Sequence, residues 1–90
     1  MSLTTTFKAL SDPIRRKILN ILKKSPMSAG EISKQFDLCD ATISHHLATL
    51  READLISSTR KGTFLVYSLN TSIFEDVMNW FLEFDKKEDK

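Results

Sequence analysis

Apolar residues recur along most of this chain with the spacing of helices, and in one stretch of the second half with the alternation of strands. A short first helix is predicted at about residues 5–10, with Phe7 and Leu10 on one side. Ser11-Asp12-Pro13 supplies a cap followed by proline at the first helical position, where its missing N–H is no loss. Ile14, Ile18, Ile21 and Leu22 then make one apolar stripe, Arg15, Arg16, Lys23 and Lys24 fall on or near the other side, and Pro26 stops this second helix. Ser28 and Glu31 have the spacing of a capping box, opening a short third helix to about Phe36 that buries Ala29, Ile32 and Phe36. Asp37 and Leu38 turn the chain. A fourth helix runs from about Asp40 to Ala53 with Ile43, Leu47 and Leu50 inward, and Asp54 ends it, because Asp tolerates left-handed backbone better than most residues.

After Leu55 the period drops to two. Residues 56–60 and 63–69 flank Lys61-Gly62, a hairpin whose glycine supplies the positive φ, with Leu65, Tyr67 and Leu69 turned toward the body. Ser72 and Glu75 repeat the capping-box spacing and start a last helix to about Phe84; residues 85–90 read as a frayed charged tail. The predicted fold is mainly α (α+β): a winged helix-turn-helix of five helices plus one two-stranded β-hairpin, in a single domain over residues 1–90. Its helix-turn-helix spans about residues 28–53 and its wing residues 56–69.

A short helix, a turn of about three residues and a longer helix form the unit whose second helix enters the major groove of DNA. The outward side of that second helix carries Thr42, Ser44, His45 and Thr49, compact groups that suit close approach to base edges and phosphates. Arg60 and Lys61 at the hairpin tip add sequence-independent attraction to the backbone. With Asp40 at the helix start, the candidate DNA-binding set is Asp40, Thr42, Ser44, His45, Thr49, Arg60 and Lys61. A winged helix that binds protein would instead be expected to show an apolar or acidic face at positions 42, 45 and 49. His46 sits beside the buried side of the helix and reads as a hydrogen-bonded structural residue.

Composition narrows the classes without choosing among them. The net charge is +1, but residues 1–61 hold ten Lys/Arg against six Asp/Glu, and residues 62–90 three against six. A basic body with an acidic end permits nucleic-acid binding on one face. A single cysteine, Cys39, excludes an intramolecular disulfide, and no apolar run is long enough for a transmembrane segment or a secretory signal, so a cytoplasmic protein is expected.

The runs Phe7-Lys8-Ala9-Leu10-Ser11-Asp12-Pro13-Ile14-Arg15-Arg16-Lys17-Ile18-Leu19 and Ser44-His45-His46-Leu47-Ala48-Thr49-Leu50-Arg51-Glu52-Ala53, with Lys61-Gly62 and Tyr67-Ser68-Leu69, resemble the ArsR/SmtB repressors over about residues 6–84. Within them the chain is most similar to the small autorepressors of sporulation-delay immunity operons. The resemblance implies a dimeric repressor on double-stranded palindromic operator DNA, contacted through Thr42, Ser44, His45, Arg60 and Lys61. Two positions depart from the family pattern: Cys39 stands where serine usually caps the recognition helix, and Asp54 where glycine is common.

Many members of that family sense metals, yet the third helix has no cysteine and the last holds Glu75, Asp76 and Glu83 without histidine. His45 and His46 are adjacent on a helix and diverge by about 100°. No metal site and no cofactor are therefore expected, and a regulatory protein partner becomes the preferred release signal. Cys39, a thiol at a helix N-terminus, leaves a redox-responsive repressor as an alternative. No enzyme is expected, since nothing orients a Cys/His pair for catalysis.

Between Ile73 and Phe84, eight of twelve residues are apolar. One protomer needs an apolar stripe little wider than 100°, so a second face must be covered elsewhere, and another copy is the available cover. The expected homodimer interface takes Phe7 and Leu10 from the first helix, and Phe74, Val77, Met78 and Phe81 from the last.

Overall fold

The computed structural model describes residues 2–85; the expected tail lies outside them except for Asp85, which ends the last helix. Five helices and three strands follow in the order α1 (Leu3–Leu10), α2 (Pro13–Leu22), β1 (Met27–Ser28), α3 (Ala29–Ser33), α4 (Asp40–Glu52), β2 (Ile56–Lys61), β3 (Phe64–Leu69) and α5 (Thr71–Asp85).

Local chemistry explains most boundaries. Asp12 caps α2, its Oδ1 accepting the backbone N–H groups of Ile14 and Arg15 at 2.7 and 3.2 Å, with Pro13 in the first turn. The capping box of α3 is complete: Ser28 Oγ accepts from the Glu31 N–H, and Glu31 Oε1 accepts from the Ser28 N–H. After Ser33, bonds from Gln35 N–H to Ile32 and from Phe36 N–H to Ser33 continue the path as a tightened, i→i−3 turn. The connection from α3 to α4 is thus longer than the three residues expected, though Phe36 still packs on the core.

α4 ends in a Schellman turn. The Leu55 N–H reaches Leu50 O at 3.1 Å, the Asp54 N–H reaches Arg51 O at 3.0 Å, and Asp54 takes φ 60°. Leu50 and Leu55, the apolar pair such a turn brings together, are both fully buried. Asp54 therefore does adopt the left-handed conformation.

The expectation of a two-stranded hairpin is corrected: the sheet has three antiparallel strands in the order β1-β3-β2. Met27 and Ser28 pair with Tyr67 and Val66, adding an edge strand too short to show alternation in sequence. Ser28 belongs to two elements at once, because the extended backbone of an N-cap (φ −74°, ψ 163°) is also strand geometry. The wing tip is shifted as well. Lys61 pairs with Phe64, so the loop is Gly62-Thr63, with glycine at φ 61°. Positive φ at the first central residue alone is the mark of a type II′ hairpin turn, which matches strand twist.

The core gathers Ile18, Leu19 and Leu22 of α2, Ile32, Ile43, Leu47 and Leu50 of the helix-turn-helix, Leu55 of the turn after α4, and Ile56 and Tyr67 of the sheet. Leu65 shares the face of Tyr67 but lies past the edge of the body and stays exposed. α5 starts at Thr71, so Ser72 is its second residue and not its cap as expected. Ile73 and Val77 bury one side of it, leaving Met78, Phe81, Leu82 and Phe84 in solvent.

Candidate nucleic-acid interface

At 100° per residue, the buried Ile43, His46, Leu47 and Leu50 define the inner side of α4. Directly opposite stand Ala41, His45, Ala48 and, in the last turn, Glu52, with Ser44 toward one flank, all exposed. Thr42 and Thr49 lie half-buried on one flank, and Asp40 and Arg51 are exposed on the other. Ala41 and Ala48 are absent from the sequence-derived set because composition alone gives alanine no chemistry. Their place opposite the core gives them one: a methyl-only surface lets the helix approach base edges closely and suits the thymine methyl.

Two of the candidate DNA-binding residues have side-chain partners inside the protein. Asp40 Oδ1 accepts a 2.6 Å hydrogen bond from Ser33 Oγ, tying the start of α4 to α3. The Thr42 hydroxyl lies 3.1 Å from Cys39 Sγ. That hydroxyl holds the exposed Cys39 thiol below its ordinary pKa. Cys39 occupies the N-cap of α4 without a side-chain bond to the helix backbone, so it does not replace a capping serine. His45 and Thr49 border a cleft shared with Thr5 and Lys8 of α1 and Arg15 of α2. Ser44 lies toward the Asp40 flank and borders a separate cleft with Ala29, Gly30 and Ser33.

His46 is buried, at 9 % exposure, and its Nδ1 lies 3.2 Å from Arg15 Nη1. A guanidinium only donates, so Nδ1 accepts and the ring's proton sits on Nε2. Burial lowers the His46 pKa below its usual 6.5, Asp12 opposes the shift, and the charge of Arg15 adds to it. Arg15 does more than face solvent. Its Nε donates to Ala9 O at 2.8 Å and its Nη2 to Lys8 O at 3.2 Å, while Arg16 Nη1 donates to Leu10 O at 2.7 Å. The two arginines close the C-terminal carbonyls of α1. Nothing in their spacing on α2 announces this, because the partners belong to another helix.

The wing places Arg60 and Lys61 at the exposed end of β2. Among the described residues, no three His, Cys, Asp or Glu side chains gather as a set that could hold a metal ion, and no helix is long and apolar enough to cross a membrane.

The expected interface residues divide in two. Val77 is in the protomer's own core, and Leu10 and Phe74 are packed against it. Met78 and Phe81 remain 56 and 52 % exposed, joined by Leu82, which the sequence reading omitted. Phe7 lies against Trp80 and Phe81, with ring centroids 5.7 and 6.1 Å apart, so α1 and α5 share one aromatic surface.

Comparison with known proteins agrees with this architecture. The profile of the bacterial regulatory protein arsR family matches residues 12–58. The transcriptional repressor SdpR of Bacillus subtilis (strain 168) is 49 % identical over 87 residues, 97 % of each chain. The crystal structure of an ArsR family transcriptional regulator superposes with TM-score 0.86 at 28 % identity, covering 92 % of this chain and 91 % of that one. The homodimeric winged helix-turn-helix DNA-binding domain of a Mycobacterium bovis protein gives TM-score 0.72 at 23 % identity, covering 90 and 82 % of the two chains, a likeness of fold. The chain belongs to the ArsR family of bacterial DNA-binding transcriptional regulators.

Proposed function

We propose that the chain is a homodimeric repressor that occupies a pseudo-palindromic operator. The exposed side of α4 enters the major groove, with Ser44 and His45 as donors and acceptors and Ala41 and Ala48 as the close-approach surface. Thr42 and Thr49 flank them, and Asp40 positions the helix start through Ser33. Arg60 and Lys61 take phosphates beside the groove. The observation that carries this reading is the compact, uncharged group of Ala41, Ser44, His45 and Ala48 on the outer side of α4, with Glu52 only in its last turn, in a fold whose next element is a hairpin ending in two cations. Repression is supported by the similarity to SdpR, a transcriptional repressor.

The exposed Met78, Phe81 and Leu82, continuous with Phe7, support a twofold pair through α5 and α1. The homodimeric Mycobacterium bovis neighbour has the same fold. Such a pair sets two α4 helices about 34 Å apart, one turn of DNA. Selection of bound sequences from random duplex DNA tests the reading. An inverted repeat with half-site centres about 10 base pairs apart, or a multiple of that, is the expected product. Recovery of no preferred duplex refutes operator binding, and recovery of an asymmetric single site refutes the dimer.

A further inference from the structure

The wing presents to solvent an aromatic side chain of the kind a folded chain ordinarily hides. Phe64 is 63 % exposed and pairs in register with Lys61 across the Gly62-Thr63 turn. From Leu55 to Phe74 the chain carries Arg60 and Lys61 and no acidic residue. Phe64 and Val66 also wall a cleft of about 400 Å³ between the wing and α3, with Lys61 and Lys34 among its lining. Glu31, the acid at that cleft, is already committed to the Ser28 N–H at 2.9 Å. A ring set among cations suits a partner with anionic rails and an apolar interior, and the minor groove of duplex DNA is one.

Resting on the operator-binding reading above, we propose that Phe64 is a minor-groove wedge. Arg60, Lys61 and Lys34 hold phosphates on either side, and the ring enters at the outer edge of each half-site, unstacking one base step and bending the duplex. The regulator then discriminates among sequences that α4 never touches, favouring the flexible TA and CA/TG steps where the wing lands.

The test uses the full chain and the duplex recovered by selection. End-to-end energy transfer reads the bend, and 2-aminopurine at the outer step reads unstacking. Wild type should bend the duplex and brighten the probe. Phe64→Ala should weaken binding about tenfold, abolish both signals and leave the salt dependence unchanged, since no phosphate contact is removed. Phe64→Leu, which keeps an apolar wedge, should retain most of the bend. Lys61→Ala should do the reverse of Phe64→Ala, lowering the salt slope by about one and keeping the probe bright. If wild type binds the duplex and Phe64→Ala matches it in affinity and probe signal, the wedge is refuted while operator binding stands. A wild-type chain that binds no duplex overturns the operator reading itself. Loss of binding to phosphatidylglycerol vesicles in Phe64→Ala, with DNA bending intact, assigns the ring to a membrane surface and also overturns the wedge.

Discussion

Arg15 makes an unusual demand on one side chain, and its removal is the most informative change to the fold. Arg15→Met keeps the apolar stem but deletes the bonds to Ala9 O, Lys8 O and His46 Nδ1, at 2.8, 3.2 and 3.2 Å. Hydrogen bonds from a charged donor contribute about 1.5–3 kcal/mol when sheltered, and less where water competes. The Lys8 bond is exposed and the other two are part-buried, so two bonds at the low end and a marginal third give about 2–4 kcal/mol. A chain of this length is stable by roughly 5–13 kcal/mol in all. At about 4–8 °C per kcal/mol for a domain this small, the melting temperature should fall by roughly 10–25 °C. Arg15→Lys should recover only part of the loss, because an ammonium cannot span three acceptors held by two helices. Thermal and urea unfolding followed by circular dichroism measure both. Melting of Arg15→Met within about 3 °C of wild type would show that the bridge contributes nothing to stability.

Other expectations follow from single contacts. Because the folded pKa of His46 is lowered below 6.5, stability is fully present above that value and declines as pH falls through it, by at most about 1.4 kcal/mol per pH unit. Urea midpoints between pH 7.5 and 5.5 should show this slope in wild type and lose it in His46→Gln, which keeps an acceptor for Arg15. Phe81→Glu should convert a dimer to a monomer in light scattering; twofold symmetry counts the loss twice, so the dissociation constant should rise about a hundredfold or more. His45→Ala should weaken the selected duplex by about 1–3 kcal/mol with little change in its salt dependence, measured by fluorescence anisotropy. Asp54→Gly should stabilise the fold by about 0.5–1 kcal/mol in urea titration, relieving a side chain held at φ 60°.

The fold was legible where sequence carries its cause locally. Asp12-Pro13, the Ser28–Glu31 box, the α4 stripe and the glycine of the wing each show their chemistry within four residues. Where the reading failed, the cause was distant or doubled. β1 exists because Val66 and Tyr67 offer it partners nearly forty residues away. Ser72 has the cap spacing, yet α5 begins a residue earlier, and the Ile73 N–H bonds to the Asn70 carbonyl. Arg15 and Arg16 look like solvated cations until α1 supplies their carbonyls. The proposed reading face divides the same way: Ser44 and His45 are visible as chemistry, Ala41 and Ala48 only as positions.

α4 is held at three points along its length. Asp40 bonds Ser33 at its start, His46 meets Arg15 at its middle, and the Leu55 N–H closes its end on Leu50. Asn70 adds a brace there, its Nδ2 donating to Asp54 O at 2.9 Å. A helix fixed at both ends and the centre has little orientational freedom left to lose on binding, so in the proposed complex its outer face would meet DNA already aligned. The central tie has a further consequence. Arg15 grips the end of α1, and α1 carries Phe7 onto the aromatic surface of α5. In the proposed dimer, any rearrangement of α1 against a second copy would therefore pull on the guanidinium that faces His46, one residue from His45. If the proposed dimer and reading face are right, assembly and DNA reading share that side chain, and Arg15→Lys should loosen operator binding in chains that still dimerise.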